Sequence, residues 1–453
     1  MKAKRLIIHI ILVFICIFTL AGCSFVKGEE NSVTTVKRDK NAYELAVDEG
    51  FSGSLNEWLL SMVDTSSYKS IYDLAVNEGL FSGSLSEFIA SLKGEKGDSG
   101  VESAANYTIN NIVRVTSKFT VTTTIRDFWS GRTQTRTQEA SSAGSGVIIE
   151  DDKENGTAYI VTNYHVVYYV NGDNKISDDI YVYLYGMEYD TFKIKAKYIG
   201  GSMTYDIAIL KIESDIYKNS GAYSATIGSS DNLKVGSTVI AVGNPEANGI
   251  SVTSGIISVP SETITMTAAD EMTKIDFRVI RIDAAVNSGN SGGGLFNSEG
   301  ELIGIVNAKS VDESIEGMCY AIPINVAYAV ARKIIDTCDG VNTTTIKKVS
   351  LGANYVIVSS KATYDTATKT TTITQEIMVD DVSLLSNAYG VLKKNDIIIN
   401  VTYNDITYPI TNIYSLEDVL LKCSNGDSIN LYIKRDNEYQ TVSLTFNTEN
   451  TVQ

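Results

Sequence analysis

Apolar and polar residues alternate in short runs over most of the chain after residue 107. The runs are rich in Val, Ile, Thr and Tyr and are separated by clusters of Gly, Asn, Asp and Ser, a pattern typical of β-strands joined by turns. Closely spaced strands without long intervening helices favour an antiparallel barrel or sandwich over a parallel sheet. The sequence predicts strands at Ile112–Val121, Ser145–Ile149, Ala158–Thr162, Tyr181–Tyr185, Ile207–Lys211, Thr238–Val242 and Leu302–Val306.

Helical spacing of apolar residues is confined to a few segments. Val, Ala and Ile recur at this spacing from Ile324 to Ile335, which predicts a helix that closes the β-rich region. A hydrophilic joint at 336–348 follows, and the last segment of about 100 residues contains a second predicted helix at Ser415–Cys423. The length of 453 residues is too great for one ordinary core, so we expect a mainly β protein of more than one domain.

An internal repeat precedes the β-rich part of the chain. Residues 41–58 recur at 70–88 with one inserted residue, Leu80. Each copy has a glycine that can end one short helix and a Ser-x-x-Glu capping box that can begin the next, so each copy predicts a helical hairpin. The glycine triplets at 94–100 are too few for a collagen triple helix, which favours a linker. We expect residues 41–100 to form two helical hairpins and a Gly-rich linker.

The N-terminus has the pattern of an export signal. A charged start, Met1–Arg5, is followed by an apolar run, Leu6–Leu20, and by small residues before Cys23. Leu20-Ala-Gly-Cys23 resembles the lipobox of bacterial lipoproteins, which implies a signal peptide at 1–22, a lipid-modified Cys23 and a flexible linker at 23–40. The alternative is an uncleaved membrane anchor, but the apolar run is shorter than the ~20 residues that a bilayer requires. Both interpretations attach the protein outside the cytoplasm.

Charge and cysteine content exclude several classes of protein. Without the signal peptide the chain has 35 basic and 54 acidic residues, a net charge of −19 that disfavours binding to nucleic acid. Three cysteines remain beyond the lipobox, namely Cys319, Cys338 and Cys423, and they form neither a disulfide framework nor a Cys-x-x-Cys metal motif. We expect buried, inert thiols and neither a metal nor a cofactor.

Histidine is the scarcest residue that could act as a base. Cleavage of an amide by a hydroxyl nucleophile needs a base, and a buried carboxylate that holds that base in the right tautomer. The chain has only two histidines, and His9 lies in the export signal. Any imidazole base of the mature protein is therefore His165. It follows the predicted strand at Ala158–Thr162, and a position where the chain leaves a strand favours a catalytic over a structural histidine.

A serine and an aspartate provide the other two groups. Gly289-Asn-Ser291-Gly-Gly places glycines on both sides of a serine, so that successive backbone N–H groups can point at one position and form an oxyanion hole. Asp206 stands at the start of an apolar strand, where an aspartate alone would more often cap a turn. The order His165, Asp206, Ser291 is that of the chymotrypsin class and differs from the subtilisin and α/β-hydrolase orders.

Seven collinear motifs resemble the HtrA/Deg family of trypsin-like serine proteases over about 230 residues. They are Gly144-Ser-Gly146-Val-Ile-Ile, Thr162-Asn-Tyr-His165-Val-Val, Asp206-Ile-Ala-Ile-Leu-Lys, Val239-Ile-Ala-Val-Gly-Asn-Pro245, Val252-Thr-Ser-Gly255-Ile, Asp283-Ala-Ala-Val-Asn-Ser-Gly-Asn-Ser291-Gly-Gly and Ala321-Ile-Pro-Ile. The resemblance implies a chymotrypsin-like double β-barrel protease domain at 104–338 with the triad between the barrels.

The resemblance also implies a role for each residue. His165 is the expected general base, Asp206 its orienting partner and Ser291 the nucleophile, while the backbone N–H groups of Gly289 and Ser291 are the expected oxyanion donors. The sequence departs from many relatives at Tyr164, Ser288 and Gly294. Because extra glycine could make the loop around Ser291 more mobile, we expect regulated activity.

The expected specificity pocket lies between the segment before Ser291 and the strand at 304–308. Ile305 and Ala308 in that strand, with no evident acid at the base of the pocket, favour cleavage after small or medium aliphatic residues. Family analogy further implies a homotrimer formed through the protease domains.

The C-terminal segment, expected at 346–448, resembles a PDZ domain. The resemblance rests on Gly390-Val-Leu-Lys-Lys-Asn-Asp396-Ile-Ile-Ile, on the predicted helix, and on Asn425-Gly-Asp427 before a hairpin strand. PDZ domains bind C-terminal peptides by strand addition at a sheet edge. The expected carboxylate-binding loop, Val349–Asn354, departs from the usual Gly-Leu-Gly-Phe type, so a purely structural β-domain stays an alternative.

Taken together, the sequence predicts a lipid-anchored extracytoplasmic serine endopeptidase that cleaves misfolded or exposed proteins in protein quality control. Its expected partners are unfolded polypeptides, C-terminal peptides at the PDZ-like domain, and the bacterial cell membrane. The alternative is a catalytically weak surface adaptor that binds peptides through the PDZ-like domain.

Overall fold

The computed structural model describes residues 72, 76, 77, 82 and 84 and the segments 100–126, 133–231, 233–244, 249–308, 318–337 and 346–452. The predicted signal peptide, Cys23, the linker and nearly all of the helical repeats therefore lie outside the described residues, as does Cys338. The chain divides into two compact units, 1–96 and 97–453, and all the strands described here belong to the second unit.

Six antiparallel strands close a first barrel in the order β1-β2-β3-β6-β5-β4. Its interior is filled by the inward side chains of these strands, such as Val113, Ile160 and Leu210. Beyond the barrel, β1 and β2 continue as a two-stranded ribbon. The strands are β1 (Ile112–Arg126), β2 (Thr133–Asp152), β3 (Thr157–Thr162), β4 (Asp179–Leu184), β5 (Ile194–Ser202) and β6 (Ile207–Glu213).

Six further strands close a second barrel in the order β10-β11-β12-β9-β8-β7. The prediction of a double six-stranded barrel is thereby confirmed, and all seven predicted strand segments overlap strands of the two barrels. The strands are β7 (Thr238–Gly243), β8 (Ser251–Thr267), β9 (Lys274–Ile282), β10 (Gly294–Phe296), β11 (Leu302–Asn307) and β12 (Cys319–Pro323).

Four helices accompany the barrels within the described residues. The last, α4, confirms the predicted closing helix, and its buried Val330 and Ile334 pack in a common core with Ala104 of α1 and Ile305 of β11. The helices are α1 (Val101–Thr108), α2 (Tyr164–Val167), α3 (Asp215–Lys218) and α4 (Ile324–Thr337). Short 3-10 turns cover Ile109–Asn111 and Asp190–Phe192.

The C-terminal part has its own sheet and core. The sheet order is β14-β15-β16-β18-β19, with β17 paired to β16, and β13 pairs separately with β20. The predicted helix is present as α5 and begins earlier than expected, because the side chain of Asn412 accepts the N–H of Ser415 in a capping box. The elements are β13 (Ile346–Val349), β14 (Ala353–Asp365), β15 (Thr370–Val382), β16 (Ile397–Tyr403), β17 (Ile406–Pro409), α5 (Ile413–Lys422), β18 (Ser428–Arg435), β19 (Glu438–Thr445) and β20 (Glu449–Val452).

Two of the three thiols predicted to be buried are described, and they differ. Cys423 is buried, whereas Cys319 at the start of β12 is only half-buried, so the prediction is wrong for Cys319. In the described part of the chain no helix has the length and apolar character needed to cross a bilayer.

Candidate active site

His165 and Asp206 are joined by two hydrogen bonds. His165 lies on α2, directly after β3, and its Nδ1 is 2.7 Å from Oδ2 of Asp206. The backbone N–H of His165 donates to the other carboxylate oxygen, Oδ1, at 3.0 Å. The carboxylate therefore fixes both the ring and the backbone of His165, which leaves Nε2 as the ring nitrogen that can receive a proton.

Asp206 is itself held from several sides in a buried position. Its side chain accepts a further hydrogen bond from Nδ2 of Asn307 on β11, at 3.0 Å. Its carbonyl oxygen accepts the N–H of Tyr164 at 3.1 Å and Nδ2 of Asn163 at 2.9 Å. These bonds stabilise a left-handed backbone with φ of 50°, which is uncommon for a residue other than glycine.

Ser291 lies in the loop between β9 and β10, at the boundary between the barrels. Its hydroxyl oxygen accepts the N–H of Ala308 at 3.2 Å, and the structure shows no hydrogen bond between the Ser291 hydroxyl and His165, both of which are described. Hydrogen bonds between catalytic groups are often long or absent before substrate binds. The Ser291 hydroxyl thus meets Ala308 at the end of β11, directly after Asn307, whose side chain bonds Asp206.

The backbone around Ser291 is hydrogen bonded at nearly every position. Asn290 N–H donates to Asn287, Gly292 N–H donates to Val306, and Gly293 N–H donates to Asn290. Among the described residues, no acceptor takes the N–H of Gly289 or of Ser291. Since buried N–H groups are almost always paired, two unpaired ones beside a serine hydroxyl can accept an anionic oxygen. They are the two N–H groups that the sequence predicted as oxyanion donors.

The chain is similar in sequence to known serine proteases. The family described as "Trypsin-like peptidase domain" matches residues 144–305. The Bacillus subtilis protein "Serine protease Do-like HtrA" is 36% identical over 210 residues, which cover 46% of this chain and 42% of that protein. The protein of the same name from Lactococcus lactis subsp. cremoris is 33% identical over 316 residues, which cover 68% of this chain and 71% of the relative.

The chain belongs to the HtrA family of serine endopeptidases. A solved structure, "HtrA-type protease AlgW with decapeptide", aligns with 76% of this HtrA chain and 97% of its own, at 24% identity and a TM-score of 0.45.

The two residues predicted for the specificity pocket of this HtrA chain, Ile305 and Ala308, lie in different environments. Ala308 is half-buried and adjoins Ser291 through its N–H, as expected. Ile305 is fully buried in the core against Ile322 and α4, so its side chain does not reach the cleft. Strand alternation instead places Val306 on the side of Ala308, where it packs in one cluster with Val286 from the segment before Ser291.

Two departures of this HtrA chain from its relatives have packing explanations. A Cβ on Gly294 would lie 2.3 Å from the ring of Phe296, so the glycine leaves room for that ring and does not loosen the loop. Tyr164 is buried in the first barrel and stacks on Tyr168 at 5.3 Å, and burial raises the pKa of its hydroxyl to about 12. It therefore stays neutral next to His165.

Asn307 was missed as a functional residue. The sequence did contain a signal for it, because Asn307 is a polar residue at the end of the otherwise apolar strand Leu302–Asn307. A buried polar side chain in such a strand needs a hydrogen-bond partner. Among the described residues no group of three or more His, Cys, Asp and Glu side chains could hold a metal ion.

Proposed function

We propose that the chain cleaves peptide bonds by a catalytic triad of His165, Asp206 and Ser291. The observation that carries the proposal is the carboxylate of Asp206, which binds Nδ1 of His165 at 2.7 Å within a network that includes Asn307. The two unpaired N–H groups beside Ser291 support it.

In the proposed reaction, Nε2 of His165 removes the proton of the Ser291 hydroxyl as its oxygen attacks the carbonyl carbon of the substrate. The negative charge that develops on the carbonyl oxygen is stabilised by the N–H groups of Gly289 and Ser291. The imidazolium, stabilised by Asp206, gives its proton to the leaving amine, and an acyl-enzyme forms. A water molecule, deprotonated by His165, then attacks the acyl carbon and releases the acid and the free serine.

The proposed substrates are unfolded or exposed polypeptides with a small or medium aliphatic residue before the cleaved bond. The half-buried Ala308, which adjoins Ser291, and the partly buried Val286 in the segment before Ser291 are both apolar and uncharged.

The proposal further includes peptide binding by the C-terminal PDZ-like domain. β14 is the terminal strand of its sheet, so its outer edge pairs with no described strand and is open to strand addition. The preceding loop differs from the usual carboxylate cradle, because the N–H of Gly352 donates to the hydroxyl of Ser350 at 3.0 Å. A peptide carboxylate would have to displace that internal bond.

We propose that the protein lies on the outer face of a bacterial membrane, attached through a lipid on Cys23. Its proposed role there is protein quality control. The attachment is supported by the lipobox-like sequence before Cys23.

Digestion of reduced casein tests the proposed reaction. The wild-type protein should release acid-soluble peptides, more rapidly when a peptide with a hydrophobic C-terminus is added, and Ser291→Ala should lower the rate by about 10⁶-fold, to background. Equal activity of wild type and Ser291→Ala, or no activity of either with the peptide present, would contradict the proposal. The second outcome would favour the adaptor hypothesis.

A further inference from the structure

Ser145, a fully buried residue of β2, contacts the nucleophile loop from the first barrel. Its backbone N–H donates to the carbonyl oxygen of Ser291 at 2.8 Å. Its hydroxyl donates to the carbonyl oxygen of Gly289 at 2.7 Å and accepts the N–H of Asn244, at the end of β7, at 2.8 Å. The hydroxyl of this first-barrel residue therefore links the loop to the end of β7 through two hydrogen bonds.

The same residue is linked to the strand that carries the histidine. The hydroxyl of Thr162, the last residue of β3, donates to the carbonyl oxygen of Ser145 at 2.6 Å. The contact with the nucleophile loop is close, because a Cβ on Gly292 would lie 2.2 Å from that carbonyl oxygen. Ser145 thus lies where β3, β7 and the nucleophile loop meet.

These contacts act on the two peptide groups that flank the unpaired N–H groups. The carbonyl of Gly289 is held by Ser145 and that of Ser291 by the backbone of Ser145, so the planes of both peptide groups are fixed. The N–H of Ser291 belongs to the Asn290–Ser291 peptide group, which lies between these two groups and is also held by the bond from Gly293 N–H to the carbonyl of Asn290. The N–H of Gly289 belongs to the Ser288–Gly289 peptide group, which adjoins the group that the Ser145 hydroxyl holds.

We propose that Ser145 is a positioning residue. Its hydroxyl holds the Gly289–Asn290 peptide group, so that the N–H groups of Gly289 and Ser291 in the two adjoining peptide groups point at the substrate carbonyl. The inference rests on the proposed function of Ser291 and extends it to a residue that does not touch substrate. Serine suits the position because a hydroxyl can accept from Asn244 and donate to Gly289 at once, within a site that has no exposed surface.

Replacing the hydroxyl of Ser145 should lower kcat without a melting-temperature loss greater than that of a comparable buried serine. Loss of an oxyanion donor costs about 10²- to 10³-fold in kcat, and Ser145→Ala leaves the donors present but less well held. We expect kcat to fall by about 10- to 100-fold with KM nearly unchanged. A peptide aldehyde, whose bound form carries the tetrahedral oxygen, should bind more weakly by a similar factor, while a product peptide should bind as before.

Ser177 offers a matched control in the same barrel. Its buried hydroxyl also donates to a carbonyl, that of Lys118 at 2.6 Å, and accepts an N–H, that of Asp179 at 3.1 Å, but it does not touch the nucleophile loop. Ser177→Ala should lower the melting temperature about as much as Ser145→Ala and leave kcat within about 2-fold of wild type. Ser145→Cys, which keeps the volume but donates weakly, should give an intermediate kcat and provides the test if Ser145→Ala does not fold.

The outcomes separate this inference from the proposed function. Equal kcat and equal aldehyde affinity in Ser145→Ala and Ser177→Ala would overturn the role of Ser145, as would a Ser145→Cys enzyme with full turnover. Casein digestion that persists in Ser291→Ala would instead overturn the triad.

Discussion

Asp206 is constrained by its left-handed backbone and by hydrogen bonds from four residues. Its backbone has a φ of 50°, and its carbonyl and carboxylate oxygens together accept hydrogen bonds from Asn163, Tyr164, His165 and Asn307. A left-handed conformation at an aspartate costs energy and persists only where the surroundings fix it. The contacts of Asp206 therefore place its carboxylate against His165 before any substrate arrives.

Asn307→Ala should slow turnover by weakening this placement. The variant loses the 3.0 Å hydrogen bond to the carboxylate, and bonds to charged groups are worth about 1.5–3 kcal/mol. Because Asp206 keeps its bonds to His165, we expect kcat to fall on the order of 10-fold, with KM little changed. Steady-state kinetics on a fluorogenic peptide would measure both constants.

Asn155→Ala is the matched control for Asn307→Ala. Nδ2 of Asn155 donates to the carboxylate of Asp152 at 2.6 Å in an exposed turn, so the same type of bond is lost away from the cleft. Its kcat should equal that of the wild type. A loss of turnover of the same size in both variants would show that Asn307 has no specific role.

Strands with continuous apolar runs could be predicted from the sequence, whereas short buried strands such as β10 and the exposed ribbon could not. β3, β6, β7 and β11 are almost wholly buried, and their continuous apolar runs predicted them. β2 was expected only at Ser145–Ile149, because its residues 133–139 are exposed on both faces and show no alternation.

Polar contacts between residues far apart in the sequence could not be predicted either. Ser145 and Gly289 are 144 positions apart, and Asp206 and Asn307 are 101 apart. Such pairs depend on how the barrels pack and leave no local pattern. Asp396 is different: the motif around it indicated a PDZ-like turn, and the structure shows it fully buried and bound by Arg435 at 2.6 and 2.7 Å.

α5 is joined to the second barrel by a largely buried ion pair. Arg278 on β9 donates to the carboxylate of Asp418 on α5 and lies over the ring of Tyr414, at 4.7 Å from its centroid. The hydroxyl of Tyr414 also contacts that of Thr263 on β8 at 3.0 Å. The other carboxylate oxygen of Asp418 is buried without a partner among the described residues.

Asp418 should make stability depend on pH in a defined direction. Burial raises the pKa of its carboxyl above the ordinary 3.8, although Arg278 opposes the shift. The folded chain then holds a proton at pH values where the unfolded chain does not, so this group adds to the free energy of unfolding as pH falls towards 3.8. The melting temperature of the wild type, relative to Asp418→Asn, should rise between pH 7 and about pH 4.

An exposed aspartate gives the contrast for Asp418. Hydrogen bonds from Ala367 and Thr368 lower the pKa of Asp365, so its contribution is lost only as pH falls below 3.8. The difference between wild type and Asp365→Asn should therefore stay level over the same range. Equal slopes for the two variants in differential scanning fluorimetry would contradict the effect of burial at Asp418.

At the scale of the whole molecule, the protease barrels and the PDZ-like sheet form one compact unit, 97–453. α4 contacts strands of both barrels and also α5, and Nζ of Lys333 on α4 donates to the carbonyl of Cys423 at 2.7 Å. α5 in turn contacts β9, the strand that leads into the nucleophile loop, through the ion pair of Asp418 and Arg278.

Cys23→Ala should separate a lipid anchor from a membrane-spanning one. If Cys23 carries the lipid, the variant should lose incorporation of an alkyne-labelled fatty acid and should either leave the membrane fraction or accumulate unprocessed. Cys16→Ala, a change within the apolar run that precedes the lipobox-like sequence, should keep both the label and the membrane attachment. Unchanged membrane association of Cys23→Ala without any fatty-acid label in the wild type would favour the uncleaved anchor, since an apolar segment holds a membrane without a thioether-linked lipid.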